Sequence, residues 1–180
     1  MSLSLVKFKI LEELLLSDKP ARATQIAKEL GKKLPEVTMH LIWLSRNGYV
    51  CAPEKGSYTL TEKGKKVLGL PEINKETAKA ILADVPPNKA FHFYTDIGKP
   101  LNCYANGLHD FCNKLNGISL DSIDFHLKRG DFESWFTALG DLELARKIAM
   151  LKEKNLHGED LRDRLRDLVK NRCIFLATLT

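Results

Sequence analysis

Apolar residues recur at helical spacing over Thr24 to Leu60 and predict a helix, a turn, a second helix and then a hairpin. Ile26, Ala27 and Leu30 form the first pattern, which stops at Gly31; a second restarts at Leu34 and carries Val37, Leu41 and Leu44 at i, i+4 and i+7. Asn47-Gly48 stops this helix. Tyr49 to Ala52 is short and β-prone, Pro53 to Ser57 supplies turn residues, and Tyr58 to Leu60 returns as the antiparallel partner. Before this stretch, Leu5, Phe8, Leu11, Leu14 and Leu15 give Leu3 to Leu16 a broad apolar stripe, to be packed beneath the two helices. Ser17 to Pro20 breaks it, and Thr24 is the expected cap of the next helix. After the hairpin, Thr61 caps a basic helix through Lys63, Lys65, Lys66, Val67 and Leu68, which Gly69, Leu70 and Pro71 end.

A further helix is expected over 72–84, with Ile73, Thr77, Ile81 and Leu82 on its apolar side. Val85-Pro86-Pro87-Asn88 ends it, because adjacent prolines exclude helix and central strand. The expected division is 1–70, a helix and linker over 71–89, and a second domain over 90–180. In that domain Ala90 to Ile97 reads as a strand, Gly98-Lys99-Pro100 as a turn, and Tyr104 to Leu115 as a helix with Leu108, Phe111, Cys112 and Leu115 on one face. Ser119, Asp131 and Asp141 are placed to cap three short helices, the middle one bearing Phe132, Trp135, Phe136 and Leu139. A last helix, Glu159 to Lys170, presents Leu161, Leu165, Leu168 and Val169. The tail Cys173 to Thr180 is apolar and β-prone and is expected to pair with a strand or cover an interface. The fold class is α+β and mainly helical.

The order Val37, His40, Leu41, Leu44, Gly48, Tyr49, Val50, then a hairpin, then Leu60 to Gly64 (LTEKG), resembles the winged helix-turn-helix of prokaryotic transcription regulators over residues 3–70. FHFYTDIGKP, FHLKRGDFESW and LGDLELA together resemble an uncharacterised prokaryotic domain family over residues 90–150, which supplies no function. The first resemblance implies a recognition helix in the major groove of double-stranded DNA and a wing on its backbone. Pro35, Glu36, Thr38, Met39, Ile42 and Trp43 then take the outward positions. Direct readout favours Arg, Lys, Asn, Gln, Ser and Thr, so this apolar set leaves two readings. Either Met39, Ile42 and Trp43 lie partly under a dimer partner or the C-terminal half and Lys32, Lys33, Thr38, Arg46 and Lys55 hold DNA, or the whole face, with Met39, Ile42 and Trp43, is a protein-binding surface.

Charge bears on that choice. Residues 1–70 hold 12 Lys and Arg against 7 Asp and Glu, an excess of five, whereas residues 71–180 hold 16 of each. Phosphate contacts are made largely by Lys and Arg, so an excess confined to the N-terminal part fits a nucleic-acid-facing module beside a neutral one. A solvated basic surface is the plainer account of the same numbers. No segment has the apolar length of a membrane span and the N-terminus lacks a signal pattern, so a cytoplasmic protein is expected. The four cysteines show no CxxC pair and read as reduced thiols.

Other chemistry is thinly signalled. Cys103, His109, Cys112 and His126 have a spacing that fits no common zinc motif, and Cys112 falls on an apolar stripe. His126, Arg129 and Asp131 could perform acid–base work or hold an anion, or could form a capped helix junction. No Gly-rich phosphate loop, nucleophile elbow or HExxH is present, so no enzymatic activity and no cofactor is expected. The last helix either closes the C-terminal core or pairs with its copy. Because winged-helix regulators often bind paired half-sites as two-fold dimers, and residues 159–180 carry apolar surface, a homodimer through that segment is expected. The reading is a transcription regulator with a C-terminal sensing or interaction domain whose effector is unknown, or an adaptor with a protein partner.

Overall fold

A computed structural model describes residues 3–180. The chain divides into two compact units, Met1–Glu72 and Ile73–Thr180. The first contains α1 (Leu5–Ser17), β1 (Ala21–Arg22), α2 (Ala23–Glu29), α3 (Leu34–Arg46), β2 (Val50–Glu54), β3 (Ser57–Leu60) and α4 (Glu62–Val67). Its strands form an antiparallel sheet in the order β1-β3-β2. Ile10, Leu11, Leu14 and Leu15 of α1 are buried with Ile26, Val37, Leu41, Leu44 and Val50. The stripe that predicts α3 is therefore the stripe that faces the core.

The hairpin pairs Val50 with Leu60 and Cys51 with Thr59, then slips through a bulge before Glu54 meets Ser57. Pro53 lies within that irregular part of an edge strand, where its missing N–H costs no ladder bond. Thr24 does not cap α2. The helix begins at Ala23, after β1 has paired Ala21 with Tyr58 and Arg22 with Ser57. Pairing with the hairpin thus sets the helix start, and Thr24 is exposed inside the first turn.

Thr61 caps α4 as expected: its Oγ1 accepts from the Gly64 N–H at 3.1 Å and donates to the Gly48 carbonyl at 2.7 Å. The α4 start is thereby tied to the turn that ends α3. Contact here is close enough that a Cβ on Gly64 would overlap the Tyr49 carbonyl oxygen and lie 2.9 Å from Leu60 Cδ2. Gly64→Ala is expected to destabilise the first unit by about 2 kcal/mol or more, because backbone must move to admit the methyl. Gly117→Ala, where a Cβ meets nothing within 4 Å, is the neutral control. Thermal unfolding of the two variants distinguishes them, and equal midpoints would contradict the clash.

The second unit runs α5 (Lys75–Leu82), a 3-10 turn (Pro87–Lys89), β4 (Phe91–Asp96), β5 (Lys99–Ala105), α6 (Leu108–Lys114), α7 (Leu120–Arg129), α8 (Asp131–Ala138), α9 (Leu142–Lys152) and α10 (Gly158–Thr178). Helix α5 packs against α10 and α6. A cluster of Phe91, Phe93, Phe111, Phe132, Trp135 and Phe136 forms the centre, with edge, tilted and stacked ring contacts at 5.0–5.6 Å. The buried Trp135 donates its Nε1–H to the Lys89 carbonyl at 2.9 Å, so its polar atom is satisfied.

Three expectations are corrected here. Tyr104 belongs to a strand: β5 continues the β4 hairpin with Phe91 opposite Ala105 and His92 opposite Tyr104, and helix begins only at Leu108. Asp131 caps nothing. Gly130, at φ 78°, closes α7 and precedes α8, while the Asp131 carboxylate turns to His126 and Arg129. The tail is helical, because Leu161, Leu165, Leu168, Val169, Arg172, Cys173 and Leu176 are one continuous buried stripe of α10. Helical periodicity within the packed unit overrides local β-propensity. That stripe is covered inside the unit, so the large apolar side chains this segment leaves exposed for pairing between copies are Ile174 and Phe175.

Candidate functional site

The outward side of α3 is the most unusual surface of the first unit. Leu34, Met39 and Ile42 are 42%, 61% and 43% exposed. With Pro35, Thr38, Trp43 and Arg46 they line a surface groove of about 630 Å³. Trp43 is held in place. Lys7 Nζ sits 3.9 Å from its ring centroid, and Tyr49 stacks at 6.1 Å with an interplanar angle of 17°. Lys63 lies 4.7 Å from the Tyr49 centroid, so cations bracket the aromatic pair.

Of the other expected residues, Lys32, Lys33 and Lys55 lie around this groove without lining it, whereas Arg46 is part of its lining. Lys32 and Lys33 precede α3, and Lys32 pairs with Glu36 at 3.2 Å, an exposed i, i+4 bridge of small energetic weight. Lys33 is exposed at the α3 N-cap, Arg46 closes the last turn, and Lys55 stands at the hairpin tip beside Gly56, whose φ is 81°. Lys33, Arg46 and Lys55 have no ion-pair partner among the described residues. The groove itself gathers Thr38, Met39, Ile42, Trp43 and Arg46. Lys7 and Lys63 are the cations that sequence patterning missed, since their roles arise only when α1 and α4 pack beside α3. A base-reading set is not presented; four large apolar groups, Leu34, Met39, Ile42 and Trp43, and one hydroxyl line the groove, with positive charge at the edges.

In the second unit His126, 3% exposed, links three elements. The Tyr94 backbone N–H donates to its Nε2 at 2.8 Å, so Nε2 carries no proton. Nδ1 then holds the proton and donates it to Asp131 Oδ2 at 2.7 Å. Both nitrogens are committed to protein partners, which takes this imidazole out of acid–base exchange with a ligand. Burial lowers the His126 pKa, and the bond and charge of Asp131 offset this only in part. Folding therefore favours neutral His126. Stability is full above the unfolded value near 6.5 and declines as pH falls through it toward the lowered folded value. Urea unfolding between pH 8 and pH 5 should show this decline, and His126→Gln should remove that component of it. An unchanged pH profile in the variant would contradict the assignment.

Arg129 completes the junction, its Nε donating to Asp131 Oδ2 at 3.2 Å. The metal-type spacing is not assembled. Among the described residues no group of three or more His, Cys, Asp or Glu side chains is placed to hold a metal ion. Cys112 lies 3.8 Å from the Arg166 carbonyl oxygen, and burial raises its thiol pKa. Among the described residues no helix is long and apolar enough to cross a membrane. Comparison of the chain with protein-family models, with curated proteins and with solved structures finds no match.

Proposed function

We propose that the first unit is a winged helix-turn-helix that binds double-stranded DNA, and that the chain is a transcription regulator whose second unit senses or docks a further molecule. The observation that carries this reading is the arrangement of the first unit: two helices in succession, the second exposed along one side, followed directly by a hairpin with a lysine at its tip. Lys33 at the start of α3, Arg46 at its end and Lys55 on the hairpin supply cations at three separated points. Such contacts neutralise phosphates and position a module on the duplex without reading bases. Thr38, which lines the outward groove of α3, is the hydroxyl this reading assigns to a base edge. In this reading a homodimer would place two such faces on paired half-sites about one helical turn apart.

The groove of Met39, Ile42 and Trp43 favours a second reading, in which α3 docks a protein and no DNA is bound. Exposed apolar surface of this kind marks interfaces, and Trp is a frequent anchor there. Fluorescence anisotropy with a labelled mixed-sequence duplex separates the two. Binding at low salt supports the regulator. Absence of binding by the folded protein would move the function to an adaptor.

A further inference from the structure

A pocket of about 340 Å³ opens between β4 and α7, a size within the range of small-molecule sites. Phe91, Tyr94 and Phe125 give it aromatic walls, and Ile97, 78% exposed on the β4–β5 turn, stands at its lip. Arg129, the last residue of α7, lines the same pocket, and two contacts fix it. Its Nε bonds Asp131 Oδ2 at 3.2 Å, and its Cζ lies 5.1 Å from the Phe125 ring centroid. Both Nη groups have no partner among the described residues. Asp131 is itself anchored by His126, which the Tyr94 backbone holds in turn. The guanidinium fork is thus oriented by a chain of bonds that ends in the strand forming the opposite wall.

We infer that this pocket binds a small planar aromatic carboxylate. Its carboxylate takes the Nη fork of Arg129, and its ring lies against Phe125 and Tyr94. A planar fork matches a carboxylate in two-bond geometry, and aromatic walls match a flat ring. The charges favour a monoanion. Arg129 is the one cation lining the pocket, Asp131 lies beside it, and Asp96 at the lip is paired with Lys99 at 3.1 Å. A dianionic phosphate would meet those two carboxylates with a single cation to offset them. His126 lines the pocket as a neutral ring with both nitrogens occupied, so it neither attracts nor repels the anion.

This deepens the reading of the second unit as a sensing domain and names its ligand class. The test uses the full chain without DNA. Its failure leaves DNA binding untouched, and failure of DNA binding leaves the pocket standing. Indole-3-acetate serves as the probe, followed by amide shifts in 1H–15N spectra and by calorimetry. Saturable shifts at Tyr94, Ile97, Phe125 and Arg129 with a Kd of about 1 mM or tighter are expected. Arg129→Gln should weaken binding about tenfold, with Arg129→Lys between it and the wild type. Indole-3-acetamide and phenyl phosphate should bind more weakly than the acid. If Arg129→Gln disturbs amides away from the pocket, Phe125→Leu replaces it and should also weaken binding. No saturable shift at these amides, equal binding of the acetamide, or no weakening in the folded variant would overturn the inference.

Discussion

Replacing Arg172 by methionine is expected to lower the stability of the second unit by about 3–5 kcal/mol, the cost of leaving a buried charge without its partner. Arg172 is 2% exposed and Asp141 fully buried. Arg172 Nε and Nη2 donate to the two Asp141 oxygens at 2.8 Å each, a planar two-bond pairing. Nη1 makes an ion pair with Glu143 at 3.0 Å, and Glu143 pairs with Lys147 at 3.0 Å. Burial works against the charged guanidinium, but Asp141 and Glu143 more than offset it and hold the Arg172 pKa above its ordinary value. Asp141 also caps α9 by accepting the Leu144 N–H at 3.0 Å, so the pair joins the α9 start to α10. Methionine keeps most of the volume and removes the charge, which isolates the electrostatic effect. Asp141→Asn should also be strongly destabilising: the amide oxygen can still accept from Leu144, but the amide NH2 then opposes an Arg172 N–H and the buried guanidinium loses its nearest counter-charge. Urea denaturation followed by circular dichroism reads both, and a loss under about 1 kcal/mol for Arg172→Met would contradict the account.

The second large effect concerns DNA. Replacing Lys32, Lys33 and Lys55 together by alanine should weaken duplex binding about a hundredfold or more at moderate salt, on any sequence, since phosphate contacts carry no base information. The loss should come with a flatter salt dependence, by about one unit of slope for each contact removed. Lys32 is expected to contribute least, because Glu36 already holds its ammonium. Replacing Met39, Ile42 and Trp43 by smaller polar residues should matter less for DNA. The protein-docking reading predicts the reverse order, with Trp43 dominant and the lysines acting mainly on association rate. Anisotropy titrations of the two triple variants, each checked for folding, decide between these orders.

Much of the architecture is legible in the sequence because amphipathic stripes survive packing unchanged. Val37, Leu41 and Leu44 mark the inner side of α3, and Phe132, Trp135 and Phe136 mark that of α8. The features that escaped depend on partners distant in sequence. Strand β1 is two residues long and exists through pairing with β3, so Ala21 and Arg22 carry no local signal. Strand β5 contains Pro100 and Asn102 and shows no clean alternation; its register comes from bulged pairing with β4. The end of α10 was hidden by β-prone composition. Its stripe runs on through Val169, Cys173 and Leu176 at helical spacing, with Arg172 buried beside them, although an arginine in an Arg- and Asp-rich helix looks like surface. Its partner Asp141 is 31 residues away.

The candidate sites follow the same logic. Sequence patterning identifies the exposed side of α3 and its flanking lysines, because outward positions follow from inward ones. It does not reveal that Lys7 covers one face of Trp43, a contact made across two helices. His126, Arg129 and Asp131 stand out as a cluster in the sequence. Their roles depend on the Tyr94 N–H, which fixes the imidazole tautomer from 32 residues away.

The central claim is most directly tested by the affinity of the wild-type protein for duplex DNA measured as a function of salt. If Lys33, Arg46, Lys55 and their neighbours contact phosphates as proposed, log K falls linearly with log salt, with a slope of about −3 or steeper at ~0.9 per contact. Binding that does not change with salt, or no binding at about 50 mM salt by the folded protein, would contradict a DNA-binding function for the first unit.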